Sequence, residues 1–254
     1  MTDEVLLETR DGVLIITINR PEAKNAVNSA VAHGIADALD ELDRNDDLRV
    51  GILTGAGGSF CTGMDLKAFL RGETPLVEGR GLAGLTEAPP RKPLIAAVEG
   101  WALAGGFEIL LACDMVTAGR SARFGVPEVK RALVAGAGAA MHLPRRVPLP
   151  IALELLLTGE PIDAERGYSL GLVNRLVEDG QALDEALRLA VTIAANGPFA
   201  VAVTKEIART SGDWSAEEMW TKQWALMDPV FSSEDATEGA TAFAEKRSPV
   251  WKGR

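Results

Sequence analysis

The sequence predicts an α/β core followed by a helical C-terminal portion, and three observations carry that fold class. Strand-like and helix-like segments alternate through the first two-thirds of the 254-residue chain, the pattern of α/β proteins. The strand-like segments are continuous apolar runs, such as Val13-Leu14-Ile15-Ile16-Thr17-Ile18 and Leu94-Ile95-Ala96-Ala97-Val98. Runs of that kind belong to strands covered on both faces and partly parallel. Beyond about residue 137 helical spacing takes over.

Taken in order, the elements justify themselves locally. Val5 to Glu8 and Val13 to Ile18 flank Asp11-Gly12, a pair favoured in tight hairpin turns. Asn19-Arg20-Pro21-Glu22 ends that strand and opens a polar loop. Asn28 or Ser29 then caps a helix whose apolar residues Val31, Ile35, Ala38, Leu39 and Leu42 keep helical spacing. A strand at Val50-Gly51-Ile52-Leu53-Thr54 runs into a Gly-rich turn, and Pro93 introduces the strand at 94–98. Ala104-Gly105-Gly106 opens a helix through Leu111, followed by a strand-like Met115-Val116-Thr117. Residues 149–157, 182–195, 199–210, 215–227 and 235–245 carry helix-like patterns, and Val173 to Val177 is the clear strand among them. The organisation read from this is a core over 1–195 and a helical region over 196–254, with no internal repeat or low-complexity linker.

Composition narrows the function classes. Apolar residues make up 47% and charged residues 24% of the chain, values of an ordinary globular protein. The net charge of −10 and the lack of a basic stripe argue against nucleic-acid binding. Cys61 and Cys113 sit apart in apolar surroundings, and with His33 and His142 as the two histidines no metal cage assembles. The acidic start Met1-Thr2-Asp3-Glu4 has no long apolar stretch behind it, and no apolar run reaches a membrane-spanning length. A cytoplasmic protein without membrane or metal partners is the expectation.

Two Gly-rich turns invite a nucleotide reading and fail it. Thr54-Gly55-Ala56-Gly57-Gly58-Ser59-Phe60 lacks the Gly-Lys-Ser/Thr ending of a phosphate loop and the third glycine of the dinucleotide fingerprint, and Gly136-Ala137-Gly138 follows no convincing strand. Two helix entries are more informative. Gly63-Met64-Asp65 and Ala104-Gly105-Gly106 each leave backbone N–H groups without intrahelical partners. Two such groups converging from two loops make an oxyanion hole for a thioester oxygen, although either turn alone also reads as a simple helix entry. Glu108 falls in the first turn after Gly105, among Phe107, Ile109, Leu110 and Leu111, where a carboxylate is costly unless satisfied or functional. Glu128 follows Pro127 at a second helix start, and both acids also read as complements to a helix dipole. His142, Cys61 and Asp114 form no nucleophile constellation.

Phe60-Cys61-Thr62-Gly63-Met64-Asp65-Leu66, Gly105-Gly106-Phe107-Glu108 and Phe124-Gly125-Val126-Pro127-Glu128, in that order and spacing, resemble the enoyl-CoA hydratase/isomerase, or crotonase, superfamily. Arg20-Pro21-Glu22-Ala23-Lys24-Asn25-Ala26 resembles the family's N-terminal CoA-side motif, and Ala242-Phe243-Ala244-Glu245-Lys246-Arg247-Ser248-Pro249 resembles its C-terminal end. The resemblance implies repeated β-β-α units with a helical C-terminal trimerisation region, assembled as a homotrimer or a dimer of trimers. It implies oxyanion-hole amides at Met64 and Gly105, and catalytic glutamates at Glu108 and Glu128. Lys24, Ala26, Asp65, Leu66 and Lys67 match positions around CoA, which is part of the substrate, so no separate cofactor is implied. Ala104 stands where hydratases often carry glycine, and Met64 where they commonly carry a smaller residue. Val129 to Ala135 and the tail from Pro249 to Arg254 look closer to carnitinyl-CoA dehydratase-like members. Family isomerases typically keep a glutamate only near the second position, so the presence of both acids favours hydration or dehydration. An isomerase, or a non-catalytic acyl-CoA binding protein that need not keep the acids, remains the alternative.

Overall fold

The computed structural model describes residues 4–254; Met1, Thr2 and Asp3, part of the acidic start, lie outside them. In chain order the elements are β1 (Val5–Arg10), β2 (Val13–Ile18), α1 (Ser29–Arg44), β3 (Val50–Gly55), α2 (Leu66–Leu70), β4 (Leu76–Val77), β5 (Gly81–Leu82), β6 (Leu94–Val98), β7 (Trp101–Leu103), α3 (Gly105–Ala112), β8 (Met115–Gly119) and β9 (Arg123–Gly125). They continue with α4 (Ala139–Arg146), α5 (Leu149–Thr158), β10 (Ile162–Asp163), α6 (Ala164–Ser169), β11 (Arg175–Val177), α7 (Ala182–Ala194), α8 (Pro198–Thr210), α9 (Met219–Phe231) and α10 (Glu234–Glu245).

The opening hairpin closes at Arg10 opposite Val13, with Asp11 at φ 49° and Gly12 at φ 76°. Two consecutive left-handed residues match the right-handed twist of the flanking strands. The main sheet runs β1-β2-β3-β6-β8-β11; its first pairing is antiparallel and the others are parallel. Both faces are covered, which explains the continuous apolar runs. On one face Leu14, Ile16, Ile18 and Leu53 join the core under Val31, Ile35, Leu39 and Leu42 of α1. On the other, Val13, Ile15, Val50, Ile52 and Ile95 pack against Ala182, Ala186 and Ala190 of α7. Alanine at every fourth position leaves a flat stripe that lets α7 lie close to the strands.

A second, smaller sheet runs β10-β9-β7 and generates the repeated β-β-α unit. Each unit sends one strand into the large sheet, a second into the small one, and then a helix. The β6-β7-α3 unit is complete, and β8-β9 is followed by a single turn of 3₁₀ helix at Pro127–Arg131. After β3 the second strand shrinks to the bridges Cys61–Ala102 and Val27–Met64 before α2 begins.

At the C-terminal end, α8 is tied to this core by partly buried cations. Lys205 Nζ donates to the carbonyls of Pro90 (2.7 Å) and Lys92 (2.8 Å) and pairs with Asp114 at 2.6 Å, while Arg209 reaches Asp114 at 2.7 Å. After α10 the tail folds back. Trp251 stacks over Gly197 and Gly239, its indole N–H donates to Ala195 O at 2.8 Å, and Asp235 accepts from the amides of Lys252 and Gly253. In contrast, α9 buries none of its residues and exposes Trp220 and Trp224.

Several elements depart from the sequence expectations. Helix α9 starts four residues later than the apolar spacing places it and continues through Pro229 to Phe231. Strand β11 begins at Arg175 rather than Val173, because Leu172 and Val173 are buried within the preceding turn instead of pairing. Strands β7, β9 and β10 and helices α4 and α6 were not expected. No single helix among the described residues is long and apolar enough to cross a membrane.

Candidate active site

The site begins with two amides. Met64 forms a parallel bridge with Val27, in which Val27 N–H donates to Gly63 O at 2.8 Å and Asp65 N–H to Val27 O at 2.9 Å. In this geometry the partner's flanking residues take up both of Val27's groups, so Met64's own N–H points away from the bridge. Gly105 is the first residue of α3, and its N–H has no intrahelical acceptor. Neither amide donates to an acceptor among the described residues. They are close neighbours: a Cβ built on Gly63 would lie 2.8 Å from Gly105 N, and one built on Gly105 would lie 3.7 Å from Met64 N. Ala104 sets the direction of the second amide. It sits at φ 53°, ψ −130° and donates its own N–H to Gly125 O at 2.9 Å. That backbone conformation is comfortable mainly for glycine, which gives the glycine of the usual hydratase pattern its physical reason.

The two glutamates occupy different environments. Glu108 is 4% exposed in the first turn of α3. Its Oε1 accepts from the amides of Ala137 (2.7 Å) and Ala139 (3.1 Å) at the start of α4. Burial pushes its carboxyl above the usual range, and the two amides pull partly against that rise. Glu128 follows Pro127 in the 3₁₀ turn and is half-buried. Burial raises its carboxyl as well, and the charge of Glu108 adds to the rise. The structure thus brings the two acids within electrostatic reach of each other. Oε2 of Glu128 is buried with no hydrogen-bond partner. A buried carboxylate oxygen left unpaired fits a group that handles a proton or a water during reaction.

Of the remaining residues singled out in the sequence, Lys24, Ala26 and Asp65 lie in the loops around the first amide. Lys24 is a left-handed cap whose carbonyl accepts from Thr62 Oγ1 at 3.3 Å, and the carbonyl of Ala26 accepts from Arg20 at 2.6 Å. Asp65 caps α2 through the amides of Lys67 (2.9 Å) and Ala68 (3.1 Å). Burial alone would raise its carboxyl, but those amides and the Arg20 guanidinium hold it below the usual range. Leu66 and Lys67 are exposed on α2. The thiols of Cys61 and Cys113 are free, fully buried and pushed up to about 12 by that burial. Asp114 is consumed by its pairing with α8. Among the described residues no group of three His, Cys, Asp or Glu side chains is placed to hold a metal ion. Sequence reasoning missed Ala137 and Ala139 as supports of Glu108, and it gave Arg20 no individual role. Neither leaves a local signal, because the contacts join residues about 30 to 45 positions apart.

Repeated β-β-α units that feed a six-stranded sheet and a small second sheet, with two free amides side by side at helix entries, belong to the crotonase class. The chain belongs to the enoyl-CoA hydratase/isomerase family, whose sequence profile matches residues 8–254. It is 42% identical over 262 aligned residues to enoyl-CoA hydratase EchA19 of Mycobacterium tuberculosis, covering 99% of this chain and 97% of that one. It is also 42% identical to a carnitinyl-CoA dehydratase of Proteus mirabilis, with both chains fully covered. Among solved structures, enoyl-CoA hydratase EchA1 of Mycobacterium marinum superposes with a TM-score of 0.98 at 60% identity over the whole of both chains.

Proposed function

We propose that the protein is an enoyl-CoA hydratase that adds water reversibly across the 2,3 double bond of an enoyl-CoA thioester. The observation that supports this reading is the pair of unpartnered amides side by side at Met64 and Gly105, the second opening the helix whose first turn carries the buried Glu108. Ionised Glu108 takes a proton from water as the water oxygen bonds to the β-carbon. The π electrons move toward the thioester oxygen, where the two amides hold the developing charge without reorganising. Glu128, protonated, delivers its proton to the α-carbon, completing the addition. Oε1 of Glu108 is pinned by α4, which leaves its other oxygen for the water. Only protons and water move, so the reaction as written needs no metal or redox cofactor.

Around this centre, Lys24, Ala26, Asp65, Leu66 and Lys67 form the CoA-side wall, with Asp65 acting through the fold of the loop. The 196–254 region would join protomers into a homotrimer or a dimer of trimers, a reading supported by the unburied face of α9. Two buried free thiols fit a cytoplasmic protein. A second reading is carnitinyl-CoA dehydration, the same hydro-lyase chemistry on a cationic acyl group. It is favoured by the Proteus relative and by the resemblance of Val129 to Ala135, just beyond Glu128, to carnitinyl-CoA dehydratase-like members. Incubation with enoyl-CoA, hydroxyacyl-CoA and carnitinyl-CoA substrates, with product identification, decides between them. Double-bond migration without hydration would favour an isomerase, and binding without turnover of any member would leave a non-catalytic acyl-CoA binder.

A further inference from the structure

Arg20 leaves the end of β2 and reaches into the loop that supports Met64, and its side chain is 12% exposed. Nη1 donates to Ala26 O at 2.6 Å, one residue before Val27. Nη2 donates to Asp65 Oδ2 at 2.8 Å, one residue after Met64. Nε faces Glu4 Oε1 at 3.2 Å. The guanidinium therefore spans both segments of the Val27–Met64 bridge and holds them from outside. The backbone of Arg20 joins in, donating to Asn25 Oδ1 at 2.9 Å, while the Asn25 amide ties the same loop to the carbonyls of Ala56 and Ser59. Both oxygens of Asp65 are committed within the protein, Oδ1 to the cap of α2 and Oδ2 to Arg20.

We infer that Arg20 is a positioning residue for catalysis: its bridging of Ala26 and Asp65 fixes the direction of the Met64 N–H. The inference rests on reading Met64 as an oxyanion donor. A donor's contribution depends on where it points when charge develops, and small misplacement far from the chemistry is enough to lose it. The planar fork of arginine reaches its two acceptors from two separate nitrogens held in fixed geometry, whereas lysine would have to meet both from a single nitrogen.

The test uses Arg20→Gln, Arg20→Lys and Asp65→Asn in the full-length protein. Two readouts are needed: hydration kinetics with crotonyl-CoA, and the infrared carbonyl band of bound butyryl-CoA, a saturated thioester that cannot be hydrated. In the wild type the band should move to lower frequency on binding. In Arg20→Gln and Asp65→Asn most of that movement should vanish, and kcat should fall about 10- to 100-fold with KM nearly unchanged. Arg20→Lys should fall between. If Arg20→Gln does not fold, Asp65→Asn decides the matter, since asparagine still accepts from the Lys67 and Ala68 amides. Folded variants that keep both band and kcat overturn the inference, as does a rise confined to KM, which would make Asp65 a CoA contact. A wild-type protein that binds butyryl-CoA with no band movement would instead sink the oxyanion-hole reading itself.

Discussion

At Gly63 the backbone has φ 92°, and a Cβ there would lie 2.8 Å from Gly105 N and 3.0 Å from the Ala104 methyl. Gly63→Ala therefore puts a methyl over one donor while straining the turn that presents the other. Turnover is expected to fall by ~10²–10³, the usual cost of losing an oxyanion donor, as steady-state kinetics on the folded variant would show. The raised carboxyls of Glu108 and Glu128 make a different demand. In the folded state both bind their protons more tightly than in the unfolded chain, so the folded state carries more protons across the window above the ordinary glutamate value of 4.5. Stability from these two groups is therefore greatest below that value and falls as pH rises through their folded pKa values. Glu128→Gln removes the cost of keeping this carboxyl buried above its ordinary range. It is expected to melt a few degrees higher than wild type at pH 7, with the difference closing near pH 4, while turnover drops by ~10²–10⁴. Calorimetry across that range checks the sign; equal melting temperatures at both pH values would mean Glu128 is not held in an unfavourable environment. The acid limb of the rate profile should likewise lie above the ordinary carboxylate range, because Glu108 must ionise to act.

Between elements, the approach of α3 to the segment after β3 is set by Gly106, where a Cβ would overlap the carbonyl oxygen of Cys61. Gly106→Ala must push helix and segment apart, and with them Gly105 from Met64. Loss of several degrees in melting temperature together with most activity is expected, whereas Gly58→Ala, whose Cβ would meet nothing within 4 Å though its φ is 76°, should cost only local strain. The sequence made such elements legible to different degrees. Helices α1, α5, α7, α8 and α10 were readable because each offers enough turns for a 3.6-residue period to register. Strands β7, β9 and β10, of three, three and two residues, are too short to show any period. Helix α4 hides behind Gly138 and carries Pro144 inside it. The same division holds in the site. Met64, Gly105, Glu108 and Glu128 stand at local signals, a glycine at a helix entry or an acid in an apolar or Pro-led turn. Arg20, Ala137 and Ala139 act across long sequence separations, and two of them act through backbone amides that every residue possesses.

At the scale of the whole molecule, the C-terminal helices leave large apolar side chains uncovered. Trp220 (62% exposed), Trp224 (51%) and Phe231 (67%) lie on α9, and Phe243 (87%) on α10. Large apolar side chains exposed on neighbouring helices support the assembly proposed above. Sedimentation at micromolar concentration is expected to give a trimer or hexamer, and Trp220→Asp with Trp224→Asp should shift it toward monomer; a wild-type monomer would overturn the assembly reading. The order of the large sheet has a further consequence. Its strands are laid down as β1-β2-β3-β6-β8-β11, each beside the one made before it, with no later strand inserted between earlier neighbours. A nascent chain leaving the ribosome can therefore add strands in the order of synthesis, never having to reopen a completed pairing. The acid at 108 gains its supporting amides only when residues 137 and 139 have emerged, and Trp251 reaches Ala195 only after the helices between them. Translation thus completes the cradle of the buried acid before the last strand of the large sheet and the helix that covers its second face have emerged.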